Sequence, residues 1–142
     1  MNEDIAKFIK KQHAANICCV GENGQPHCFT CFFAFDEKKA LLHYKTSPAS
    51  NHAMQMIKNG NVAGTILPDK LNMMAVKGLQ FNATLVKADE PLAKNASTVY
   101  YKKYPFALAM GGEIWTIQLT NIKMTDSGKK HSWQLEETAE SI

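Results

Sequence analysis

The sequence predicts a mainly β protein, a β-barrel of six to seven mostly antiparallel strands with peripheral helices. Three observations lead there. Short apolar runs alternate with a period of two, tight polar turns join most of them, and a helical period surfaces in only a few stretches.

Each element follows in order along the chain. In DIAKFIKKQH (4–13), Ile5, Phe8 and Ile9 fall at i, i+3 and i+4, the spacing of an amphipathic helix. Residues 15–20 read as a strand, and GENG at 21–24 supplies hairpin-turn chemistry. Residues 26–35 form an aromatic-rich strand that ends at the polar turn DEKK, and 40–45 form the next, which completes a meander. Then the period changes. In SPASNHAMQMIKNG, Ala53, Met56 and Ile57 share a helical face, Ser47 or Ser50 can cap the start, and Pro48 suits a first turn. Gly60 stands where a helix end favours positive φ. Residues 61–67 form a strand closed by the Pro-Asp turn at 68–69. Residues 73–87 read as one long extended segment, with a bulge or a close backbone approach expected at Gly78. Asp89-Glu90-Pro91 opens a helix that runs to about residue 104 and stops at Pro105. Residues 113–119 alternate, with Trp115, Ile117 and Leu119 on one face, and the strand extends toward Asp126.

With 142 residues, 45% hydrophobic and 20% charged, the chain has the size and composition of a single globular domain. No apolar run approaches the roughly 20 residues that cross a bilayer. MNEDIAKFIKKQ puts acids first and has no apolar core of a secretory signal, so a cytoplasmic location is expected. Thiols there are normally reduced, and the four cysteines are not read as a disulfide framework. The net charge is +3, and all 16 basic residues are lysine. Without arginine, the commonest device for reading guanine is missing, and the short lysine pairs form no nucleic-acid arm.

Cys28 and Cys31 form a CxxC within HCFTCF. On a strand they face opposite sides of the sheet, so they cannot share a metal or close a disulfide with each other. Cys18 and Cys19 likewise alternate, and the five histidines show no ligand spacing, so no metal site is expected. Phe29, Cys31, Phe33 and Phe35 make one bulky apolar face, and Cys28, Thr30, Phe32 and Ala34 a lighter one. A strand with two such faces needs cover on the second: a subunit, a helix or a planar ligand. At TSPASNH (46–52), hydroxyls, an amide and His52 gather at a strand end and helix start, where a phosphate or carboxylate is favoured. The same residues also make ordinary helix caps. GKKHSW (128–133) is either a ligand clamp or a basic terminus. No nucleophile–base–orienter set emerges, so no catalytic residue is assigned.

Taken in order, these motifs resemble the FMN-binding split barrels related to pyridoxamine 5′-phosphate oxidase. The resemblance rests on strand, glycine turn, a strand ending in Phe-Asp, a strand ending in Thr, TxxxSxH, a short helix and NVA at 61–63. It resembles in particular a small bacterial branch that carries HA at 52–53, GxQF at 78–81, WxIxLxxIKxTD at 115–126 and a later GKK–W. It implies a split-barrel domain over residues 1–126 and a C-terminal tail over 127–142.

The resemblance also implies FMN between the two subunits of a homodimer. Cys28, Phe29, Thr30 and Cys31 would line the isoalloxazine ring; Tyr44, Lys45 and Thr46 would stand near the ring and ribityl chain. Ser50, Asn51 and His52 match the family's Ser-Arg-Lys phosphate clamp, and Lys77 and Gly78 match the segment at the ring edge. Lys129, Lys130 and Trp133 are candidates to cover the ring or a donor stacked on it. The departures also inform. Cys28 and Phe33 stand where the oxidase has an arginine and a lysine, and its C-terminal arginines have no counterpart. Oxidation of pyridoxamine phosphate is therefore not expected. The implied activity is a flavin-dependent reduction of a small molecule fed by a nicotinamide donor, with no nucleic acid or membrane partner. The alternatives are a flavin carrier or sensor, a haem-binding barrel using His27, His52 or His131, and a structural barrel with an empty cleft.

Overall fold

The computed structural model describes residues 1–136 and contains seven strands and three helices. Helix α1 (Glu3–Lys11) begins at Asn2, whose side chain accepts from the backbone N–H groups of Asp4 and Ile5. Its acids lie in the first turn and its lysines in the last, matching the helix dipole. Strands β1 (Ala14–Val20), β2 (Pro26–Asp36) and β3 (Leu41–Thr46) form the expected meander. Asn23 and Gly24, both at positive φ, make the first turn. Helix α2 (Asn51–Lys58) is capped by the Ser50 side chain. Strands β4 (Asn61–Ile66) and β5 (Lys77–Val86) follow, then α3 (Ala96–Lys103), β6 (Glu113–Asp126) and β7 (Lys129–Gln134).

All the pairings are antiparallel, in the order β3-β2-β1-β4-β5-β6-β7, and β3 also pairs with β6 to close a six-stranded barrel. A register shift at Asn82/Ala83 leaves Thr120 unmatched on β6. The first half of β6 lies between β3 and β5, and its second half between β5 and β7. A bulge of this kind bends a strand out of one pairing and into the next.

The strand alternation fills the barrel. Ile17, Phe33, Leu42, Tyr44, Ile117 and Leu119 are buried in one cluster, which Ile5, Phe8 and Ile9 of α1 and Met56 of α2 join. Gly64 is required here, because any Cβ would collide with the Phe81 ring and the Asn16 carbonyl. The lighter face of β2 receives the helix cover that its two apolar faces demand. Ala34 packs under Tyr100 and Tyr104 at the end of α3, while Phe32 stays 60% exposed.

Several expectations need correction. Cys18 and Cys28 form a disulfide. They are direct partners across β1 and β2, on the same outward face, with Cα atoms 4.3 Å apart, the narrow spacing of an antiparallel pair. Strand register brings together two cysteines that spacing along the chain does not connect. Gly60 does not adopt positive φ; Asn59 ends the helix in an extended conformation. Ile57 is 62% exposed and leaves the buried face of α2 to Ala53 and Met56. Residues 73–76 precede β5 rather than belonging to it, and the bulge falls at Asn82/Ala83, not at Gly78. The expected helix from 89 to 104 is a 3-10 turn (Pro91–Ala93) followed by α3, and a second 3-10 turn (Pro105–Ala109) follows Pro105. Within the segment 127–142, residues 129–134 form β7 on β6, and residues 137–142 lie outside the described residues.

Candidate functional site

The end of β3 and the start of α2 meet β2 at a cleft of about 270 Å³. Phe29, Thr30, Cys31, Tyr44, Lys45, Thr46 and His52, all singled out by sequence, line it. At its mouth, His52 Nε2 lies 2.7 Å from Thr46 Oγ1 and 3.1 Å from Ser50 Oγ. The His52 ring stacks on Phe29 at 3.7 Å and 10°. Burial, with a smaller contribution from His27, lowers the His52 pKa, so the imidazole favours its neutral form. This cluster offers hydrogen bonds, not charge.

Lys45 does not supply the missing charge. Its Nζ donates to the carbonyls of Ala107 (2.7 Å) and Met110 (2.6 Å) and lies over the Tyr101 ring. It ties the segment after α3 to the cleft. Burial pushes the Cys31 thiol up to about 12, which leaves it without thiolate character. Tyr44 turns into the core, with its hydroxyl 3.4 Å from Met56 Sδ.

The opposite wall was not legible in the sequence: Tyr100, Tyr104, Phe106, Ala107 and Met110. The Tyr104 hydroxyl donates to the Phe33 carbonyl at 2.7 Å, pinning the end of α3 to β2. The run YYKKYPF is the compositional signal for this wall. Phe32, Phe106 and Met110, each at least 60% exposed, leave an apolar rim around the mouth.

The remaining sequence candidates lie elsewhere. Lys77 and Gly78 line a second cleft of about 760 Å³ with Lys123, Lys130, His131 and Ser132, and it shares no lining residue with the first. Among the described residues, Lys123 and Lys130 have no carboxylate partner, whereas Lys77 lies 3.6 Å from Asp126. Cys28 is taken up in the disulfide on the outer face and lines neither cleft. Asn51 faces a separate groove with Gly21 and Lys58. Trp133 packs against the barrel core, so it does not stand over either cleft, and Lys129 is exposed. No cluster of three or more metal-binding side chains occurs among the described residues, and no described helix is long and apolar enough to cross a membrane.

Comparisons with known proteins place this architecture. A "UPF0306 protein" of Serratia proteamaculans is 31% identical over 135 residues, covering 92% of this chain and 93% of its own. A haem-binding protein from Mycobacterium smegmatis superposes with a TM-score of 0.79 at 9% identity, over 93% of this chain; the chain spans 57% of that protein. An FAD-binding protein from Mesorhizobium loti superposes with a TM-score of 0.68 at 13% identity, covering 89% of this chain and 95% of that one. At such identities the structures share the fold alone. A family profile described as pyridoxamine 5′-phosphate oxidase matches residues 1–126, the span that holds the closed barrel and the first cleft. The chain belongs to the pyridoxamine 5′-phosphate oxidase family of split barrels and groups there with the UPF0306 proteins.

Proposed function

We propose that this protein binds FMN at a homodimer interface and serves as a flavin-dependent oxidoreductase for a small molecule. The observation that carries the reading is the ring-walled first cleft, with the Thr46–His52–Ser50 cluster at its mouth and an apolar rim. The residues fit the group in two parts. Phe29 and the tyrosines offer flat surface to a ring, and the hydroxyls with the α2 N-terminus offer donors to a phosphate. Cationic charge is missing there and present in the second cleft. One ligand touching both sets, which no single cleft joins, calls for two chains. The first cleft is also smaller than the 300–1,000 Å³ usual for such ligands, as expected of half a site. The exposed Phe32, Phe106 and Met110 are suited to burial by the second subunit.

When bound, FMN would supply the electron exchange between a nicotinamide donor and the acceptor. Thr46 and Ser50 would hold the phosphate, Lys123 and Lys130 would offset its charge, and the backbone at Gly78 would approach the ring edge. Lys45 would keep the 105–110 segment closed over the cleft and exclude water. No side chain in the cleft is placed as a proton donor or acceptor: Cys31 and Tyr44 have strongly raised pKa values, and His52 is held among hydroxyls.

Titrating the protein with FMN tests the reading. Saturable uptake with a visible flavin band, a dimeric mass by light scattering and NADH or NADPH oxidation faster than with free FMN are expected. A colourless monomer that takes up no FMN would refute the assignment. Uptake without turnover would leave a flavin carrier or sensor. A second reading, haem binding, is favoured by one observation: the His131 imidazole lines the larger cleft among three lysines that could meet propionates. A Soret band on haem titration that is lost in His131→Ala would support it.

A further inference from the structure

We propose that a groove outside both clefts is a binding site for an amphipathic monocarboxylate. The groove, about 470 Å³, lies between the end of β5, the approach to α3 and the start of β6. Its walls are Ile57, Leu85, Val86, Ala96, Ile114 and Trp115. A space of this size, apolar in lining and with few polar groups, has the make-up of a small-molecule site. Small residues hold it open: Ala93 and Ala96 are buried at the approach to α3, where longer side chains would fill it.

The polar groups set the orientation of the ligand. At the floor, Thr116 is buried and its hydroxyl lies 2.8 Å from Nδ1 of the equally buried His43. That hydroxyl is already engaged, so the floor gives a carboxylate little reason to enter. At the rim, Lys87 and Lys94 are exposed and, among the described residues, have no carboxylate partner. Glu113, the acid beside them, accepts from the Trp115 indole at 3.4 Å. The site therefore takes an apolar tail inward and a single anionic head outward, between the two lysines. A neutral tail lacks the head contact, and a polyphosphate has no use for the walls.

Calorimetric titration of the FMN-free full chain with dodecanoate, below its micelle concentration, tests this site independently of the flavin reading. Saturable 1:1 binding is expected. In K87E/K94E it should weaken about tenfold, from two lost charge pairs and the repulsion that replaces them, while dodecanol binding stays unchanged. Ile57→Glu should weaken both ligands. These variants change exposed side chains, and circular dichroism would verify their fold. Absence of saturable binding, equal dodecanoate affinity in wild type and K87E/K94E, or displacement of dodecanoate by FMN would each overturn the proposal.

Discussion

The first and second clefts divide between them what a phosphorylated aromatic ligand needs. The first has rings, hydroxyls and a neutral histidine, and its lysine is committed to two carbonyls. The second has three lysines and a histidine around Gly78 and no aromatic ring larger than imidazole. The difference teaches that neither is a complete phosphorylated-flavin site in one chain. Flat surface and charge are kept apart by the barrel wall.

The most severe way to break the comparison is to break that wall. Gly64→Val drives a branched side chain into Phe81 and the Asn16 carbonyl, so a loss of about 3 kcal/mol or more is expected by thermal denaturation. Both clefts should then fail together. If the variant kept wild-type stability, the barrel packing would be wrong.

A second test lies outside both clefts. His43 is buried and, among the described residues, its Nε2 has no partner; burial pushes its pKa from the ordinary 6.5 down to about 4. The unfolded chain therefore takes up the proton first. The stability from keeping His43 neutral is complete above pH 6.5 and is lost as pH falls from 6.5 toward 4, by at most about 3 kcal/mol. His43→Gln should flatten the denaturation profile across that window. An equally steep profile in the variant would show that another group carries the acid sensitivity.

Within the first cleft, Thr46→Val with His52→Ala removes a hydroxyl and the imidazole bonded to it. FMN affinity should fall by about 2 kcal/mol, roughly 30-fold in fluorescence titration. The smallest effect is expected in the second cleft. Lys123→Gln with Lys130→Gln should cost about 1 kcal/mol of FMN affinity, and the loss should shrink at high salt. If the lysine variants weakened FMN and the first-cleft variants did not, the roles assigned to the two clefts would be reversed.

Much of the barrel was legible in the sequence because its signals are local. Ile5, Phe8 and Ile9 announce α1, Ser50 announces the start of α2, and the alternation of Phe29, Cys31, Phe33 and Phe35 marks the face of β2 that packs against the core. The first cleft was legible as far as it is built from short stretches, at 29–31 and 44–46 with Ser50 and His52 beside them. What failed depends on register and closure. The pairing of Cys18 with Cys28 follows from where two strands align, and the wall formed by Tyr100 and Tyr104 follows from where α3 docks. The separation of Lys77 and Gly78 from Thr46 and His52 required the barrel itself. Distance along a chain does not encode which side of a closed sheet a residue meets.

Barrel closure through β3 and β6 has one more consequence. It gives each strand from β1 to β6 a partner on both sides along part of its length, whereas among the described residues β7 pairs with β6 alone. An unpaired strand margin is a template on which other chains can assemble into aggregates. Here that margin is six residues long and opens with Lys129 and Lys130, whose charges oppose the approach of a further strand. The GKK motif thus also guards solubility, whatever ligand the neighbouring cleft receives.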